Sequence, residues 1–175
     1  MKETDKKVLT REEADKLIGN HIVIPEGYTE IECSVFSNRD DFAHVEISAS
    51  VNKIDSCALN CCQVSKISVD ARNMHYSSQE GVLFNKDATE LIKYPPNKEE
   101  DTYIIPAGVT KIGESAFSHC LNLSQIEIPD TVEYIDNGAF KGCKGLVQIT
   151  LPSSIKEIRY DAFRACRRTT DLTII

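Results

Sequence analysis

The sequence predicts a β-rich α/β solenoid of ~23-residue repeats, and three observations carry that prediction. The segments Ile112–Cys120, Ile135–Cys143 and Ile158–Cys166 share one pattern, in which Ala116, Ala139 and Ala162, then Phe117, Phe140 and Phe163, recur every 23 residues. A strand-and-proline segment recurs beside them at Ile22-Val23-Ile24-Pro25, Tyr103-Ile104-Ile105-Pro106, Ile126-Glu127-Ile128-Pro129 and Ile149-Thr150-Leu151-Pro152. Between the two lies a V-x-x-I unit, as in Val109 to Ile112 and Val132 to Ile135. A fixed period in the twenties means that each repeat is one coil stacked on the last.

Each element follows from its local chemistry. Residues 1–8 are charged and read as a frayed tail. Thr10 and Glu13 fit a capping box, and Ala14, Leu17 and Ile18 form an apolar face at helical spacing before Gly19, so a short capping helix is expected. The strand segments alternate over so few residues that each is a short strand with one buried face, which proline ends. Degenerate strands are Val45–Ser48, Ile67–Asp70 and Leu172–Ile175. The V-x-x-I unit reads as a second short extended segment, and the Ala-Phe pair as a helical turn with Phe in the interior. Extended backwards, the register describes a six-coil array, with residues 1–21 as tail and cap and residues 22–175 as a single repeat domain.

From Leu59 to Phe117 is 58 residues, so one coil is longer by about a dozen. The extra material lies within residues 73–101. Apolar runs Val82–Phe84 and Leu91–Tyr94 flank a polar Asn85-Lys86-Asp87-Ala88 turn, which predicts an inserted β-hairpin.

These motifs (Ile-Pro, V-x-x-I-G, A-F-x-x-C and Asn122-Leu123) resemble the BspA-type leucine-rich repeat over residues 22–175. The Tyr76–Pro95 element is similar to a hairpin found among such repeats. The resemblance implies a right-handed leucine-rich-repeat coil. It also implies a surface or secreted protein of host-associated bacteria or some protists, adhesion to host proteins or other cells, and no enzymatic activity.

Composition narrows the partners. The net charge of −7 argues against nucleic acid and anionic membranes, because phosphate contact needs a basic surface. No apolar run reaches the length of a transmembrane helix, and no apolar signal region follows the charged N-terminus. A surface location therefore rests on the resemblance, with a cytoplasmic one as its alternative.

The exposed strand residues should form two files on the concave side, with neighbouring rungs ~4.8 Å apart. They run His21 and Val23, His44 and Glu46, Lys66 and Ser68, Thr102 and Ile104, Gln125 and Glu127, Gln148 and Thr150, then Asp171 and Thr173. His21, His44, Glu46, Lys66, Gln125, Glu127, Gln148 and Thr150 are the candidate binding residues, for a protein partner (host matrix or cell-surface) or a glycan. His21, His44 and Glu46 have the composition of a two-His, one-carboxylate metal site, yet nothing further converges on them, and no metal or cofactor is assigned.

The seven cysteines are an odd number, and Cys62, Cys120, Cys143 and Cys166 share one column, where buried thiols fill small interior slots. Cys33 and Cys57 lie near equivalent positions in adjacent coils and are the pair best placed for a disulfide. No catalytic motif is present. The reading is a non-enzymatic binding module. Its alternatives are a structural spacer in a larger surface protein, self-associating through the C-terminal strand edge, and, on cysteine and histidine counts alone, a hydrolase.

Overall fold

The computed structural model describes residues 6–60, 62–166 and 171–174, the last four by backbone alone. The chain is a solenoid of six complete coils and the strand of a seventh, with parallel strands on two sides and turns between them.

With strands numbered in chain order, the longer side carries β2 (His21–Val23), β4 (His44–Ile47), β6 (Lys66–Val69), β10 (Thr102–Ile104), β12 (Gln125–Glu127), β14 (Gln148–Leu151) and β16 (Asp171–Ile174). The shorter side carries β1 (Val8–Leu9), β3 (Glu30–Ile31), β5 (Lys53–Ile54), β9 (Glu90–Lys93), β11 (Lys111–Ile112), β13 (Tyr134–Ile135) and β15 (Glu157–Ile158). Pairing joins residues one repeat apart: Ile126 faces Ile149 and Ile112 faces Ile135. The 23-residue period therefore becomes a straight file of buried isoleucines.

Two files complete the C-terminal core. Tyr94, Phe117, Phe140 and Phe163 stack with ring centroids 5.2, 5.0 and 5.2 Å apart, within the favourable range for offset aromatic pairs. Beside them, the Cys143 thiol donates to the Phe117 carbonyl at 2.9 Å and the Cys166 thiol to the Phe140 carbonyl at 3.0 Å. A hydrogen bond with Cys120, then burial, pushes the Cys143 thiol up, and burial pushes Cys166 up to about 11. Cys143 and Cys166 are therefore protonated donors that satisfy carbonyls of the preceding coil.

The Ala-Phe segments are not helical. They are successive turns in which Ser115, Gly138 and Asp161, then His119, Gly142 and Ala165, take positive φ. The Phe amides reach the next coil, Phe117 N–H donating to Ala139 O and Phe140 N–H to Ala162 O, both at 2.7 Å, while the Ala amides close turns within their own coil, Ala116 N–H to Gly113 O and Ala139 N–H to Asp136 O, both at 3.2 Å. A helical turn would direct the Phe amides along its own axis and leave the neighbouring coil's carbonyls unmet.

The N-terminal cap also differs from expectation. Val8–Leu9 is not frayed but pairs with β3 as the first rung of the short side. The helix, α1, spans only Arg11–Ala14, with Glu13 reaching back to the Thr10 amide at 3.3 Å. Past its end the Arg39 guanidinium donates to the carbonyls of Ala14 (2.6 Å) and Leu17 (2.7 Å). Leu17 packs against the core while Ile18 is 82% exposed, so the helical face stops short of it.

The insertion is larger than one hairpin. Val82–Phe84 and Leu91–Lys93 pair antiparallel as expected, in β8 (Val82–Asn85) and β9. A further strand, β7 (Tyr76–Gln79), pairs with β8 across a tight turn where Glu80 and Gly81 both have positive φ. β8 is buried on both faces: Val82 and Phe84 belong to the C-terminal core and Leu83 to the N-terminal one. One solenoid thus contains two cores, and β8 is the wall between them.

Candidate binding face

The outward side of the long strands is where the predicted residues lie, and register places them in files. His21 faces His44, which faces Lys66, and Val23, Glu46 and Ser68 form the parallel file. Further along, Gln125 faces Gln148, and Ile104 faces Glu127, which faces Thr150. The side chains of Asp171 and Thr173, and the C-terminal edge at Ile175 on which self-association was expected, lie outside the described residues, as do Cys61 and the first five residues.

The files are not continuous. Pairing stops at β6 and resumes at β10, so Lys66 and Thr102 are not neighbours. The tip of the β7–β8 hairpin enters the interval, and the Gly81 carbonyl accepts from Ile67 N–H at 2.9 Å where the next rung would be. On the short side Tyr76 plays the same part, its hydroxyl accepting from Ile54 N–H at 3.0 Å. The insertion therefore divides the expected face into two patches, a consequence of the positive-φ turn that the periodicity alone does not reveal.

The N-terminal patch is internally bonded. The His21 and His44 rings stack with centroids 4.0 Å apart and planes 7° from parallel. His21 Nε2 lies 3.3 Å from a Glu46 carboxylate oxygen, and His44 Nε2 lies 2.7 Å from Ser68 Oγ. Parallel rings aim their nitrogens alongside one another, so this arrangement does not form the converging ligand set a metal needs. Among the described residues, the one group whose ligand atoms do converge is Cys33, Asp55 and Cys57, and there the two cysteines are joined in a disulfide with Cα atoms 5.0 Å apart.

The C-terminal patch is different. Gln125, Glu127, Asp130, Gln148, Thr150 and Pro152 line a groove of about 280 Å³ on β12 and β14. None of these polar side chains is hydrogen-bonded or ion-paired within the described residues. The short-strand side shows the opposite arrangement, since its charges are matched from coil to coil. Lys111 bridges Glu90 (3.0 Å) and Asp136 (3.2 Å), Arg159 bridges Asp136 (3.3 Å) and Glu157 (2.9 Å), and Lys156 meets Glu133 (2.8 Å). Burial pushes the Asp136 carboxyl up, but the Asn137 amide, Lys111 and Arg159 together outweigh it and hold it below its ordinary value.

Comparison with known proteins agrees with this architecture. The family model described as BspA type leucine-rich repeat region matches in six copies over residues 17–100 and 97–175. A leucine-rich repeat protein from Eubacterium ventriosum superposes with a TM-score of 0.82 at 29% identity, over 88% of this chain and 41% of that one. The pneumococcal vaccine antigen PcpA superposes with a TM-score of 0.69 at 20% identity, over 89% of this chain and 50% of the antigen, a likeness of fold alone. The chain thus spans half or less of the length of these two structures. No protein of curated function matches it.

Proposed function

Since this chain belongs to the BspA-type leucine-rich repeat family, we propose that it is a non-enzymatic adhesion module that binds a partner protein at a bacterial cell surface through the outward face of its long strands. One observation carries the reading. Among the described residues, charged groups on the short-strand side are paired within the protein, whereas the side chains of Gln125, Glu127, Gln148 and Thr150 on the long-strand side are not. Polar side chains that are exposed or half-buried and carry no bond to a neighbouring residue are free to exchange their water for a ligand's hydrogen bonds. The Cys33–Cys57 disulfide supports the location, because such bonds persist outside the reducing cytosol. Among the described residues no helix is long and apolar enough to cross a membrane.

The test is adhesion of the purified chain to immobilised host matrix proteins and epithelial cells. Reversing Glu46 and Glu127 to Lys should abolish most of the binding, while Glu133→Ala on the short side should leave it intact. Equal binding by all three proteins would remove the long-strand face from consideration. Because the chain covers 41% of its Eubacterium ventriosum relative, a spacing role within a longer protein is the reading that loss of all adhesion would favour.

A further inference from the structure

We propose that the groove on β12 and β14 takes an extended polypeptide segment bearing lysine or arginine side chains. The inference rests on the long-strand face being the binding face and names the class of ligand. Two features of the groove and one beside it converge on this.

Gln125 and Gln148 stand directly opposite each other in register. Each primary amide offers a carbonyl and an NH2 group, the complement of a peptide N–H and C=O. Two such groups one rung apart can hold a chain laid across the strands.

Glu127 and Asp130 bring two carboxylates into the same groove, and among the described residues neither has a lysine or arginine ion-pair partner. Elsewhere on the surface, Glu90, Glu133, Asp136, Glu157 and Asp161 are each held by a lysine or arginine. A concave site lined by one sign of charge focuses its field on incoming counter-charge.

Ile104 is 66% exposed and pairs in register with Glu127. An exposed isoleucine costs free energy in water, but here it lies one rung from a carboxylate that has no ion-pair partner among the described residues. That juxtaposition suits a long basic side chain, whose methylene stem covers apolar surface while its charged head reaches an acid. Sugar rings ask for an aromatic platform, and none of the residues lining the groove is aromatic.

The experiment uses the full chain and three fluorescein-labelled decapeptides, of alternating Lys-Ser, Glu-Ser and Gly-Ser, with fluorescence anisotropy as the readout. The Lys-Ser peptide alone should bind, and added salt should weaken it. Glu127→Lys should cut its affinity about tenfold or more, and Gln125→Ala with Gln148→Ala should weaken it several-fold. Ile104→Ser should weaken the Lys-Ser peptide as well. Glu133→Lys changes net charge as Glu127→Lys does but sits on the short side, so it should leave affinity nearly unchanged and thereby separate the groove from bulk charge. Equal binding of the Glu-Ser peptide, or equal loss in Glu127→Lys and Glu133→Lys, would overturn the proposal. If the groove variants abolish adhesion to a host protein and the Lys-Ser peptide fails to compete with it, the face stands and the basic ligand falls. If adhesion survives the groove variants, the groove proposal falls, and the face falls with it only if Glu46→Lys on the N-terminal patch leaves adhesion intact as well.

Discussion

His44 stands among groups that decide its protonation. Burial is the largest influence, followed by the stacked His21 ring and Lys66, and together they outweigh the attraction of Glu46. Its pKa is therefore held below the ordinary 6.5. His119 moves in the same direction, through burial and then Lys93, Lys141 and Lys144. The sign follows from linkage: between pH about 6.5 and the lowered value the unfolded chain binds more protons than the folded one. The folded state is thus fully favoured above about 6.5 and loses stability as pH falls toward the depressed pKa. The depressed carboxylates, among them Glu30 and Glu100, start from an ordinary 4.5 and act at lower pH. Urea unfolding between pH 7 and 5 should show a declining midpoint, made shallower by His44→Gln and shallower still with His119→Gln added. A slope unchanged by His44→Gln would contradict this account of the stack.

At the scale of elements, the inserted hairpin depends on one side chain. Asn73 is fully buried. Its NH2 group donates to the Ser48 and Val51 carbonyls, and its oxygen accepts from the His75 and Tyr76 amides, all four at 2.8 Å. It thereby ties the start of β7 to the preceding coil. Asn73→Ala removes all four bonds and leaves the Ser48 carbonyl only a long contact from the Val51 amide at 3.4 Å, and the expected loss is about 3 kcal/mol or more. Asn73→Asp keeps the acceptor but turns a carboxylate oxygen toward two carbonyls, so at pH 7 it should be at least as damaging. Denaturant unfolding of the two variants measures both effects, and a loss below about 1 kcal/mol in either would show that the hairpin is held elsewhere. The same insertion marks the limit of what the sequence makes legible. The β8–β9 pair was readable because apolar runs flank a polar turn. β7 was not, since Tyr76-Ser77-Ser78-Gln79 is polar and makes its contacts through hydroxyls, Ser77 Oγ to Asn85 O and Ser78 Oγ to Val69 N–H. The Ala-Phe turns look helical in sequence for a related reason: their Phe amides are satisfied by the next coil, and a linear pattern shows the period but not the direction of a hydrogen bond. The binding residues were legible as files because strand alternation fixes which side chains face outward. Their division into two patches was not, because it depends on where a hairpin tip comes to rest.

The whole molecule is quasi-one-dimensional, so stability should be distributed by neighbourhood. The wall formed by β8 sharpens that expectation, because it separates an N-terminal core around Phe36, Val45 and Ile67 from a C-terminal core around Phe117, Phe140 and Ile149. The disulfide lies wholly within the N-terminal half and joins cysteines 24 residues apart. Replacing both cysteines by serine frees that loop in the unfolded chain and should lower stability by about 3 kcal/mol. Phe140→Ala removes the middle of the aromatic stack and should cost about 3–5 kcal/mol. The two losses should fall on different strands. Native-state hydrogen exchange should show the cysteine variant losing protection in β4 and β6 while β11 and β13 keep theirs, and the reverse for Phe140→Ala. Leu83, which reaches the N-terminal core from the wall while Val82 and Phe84 reach the other, is one point at which the halves communicate, with Ile92 of β9 packing on the N-terminal core beside it. Leu83→Ala should therefore lower protection on the N-terminal side more than on the other. Uniform loss across all strands in both the cysteine and phenylalanine variants would mean that the wall transmits rather than divides, and that the solenoid unfolds as a single unit.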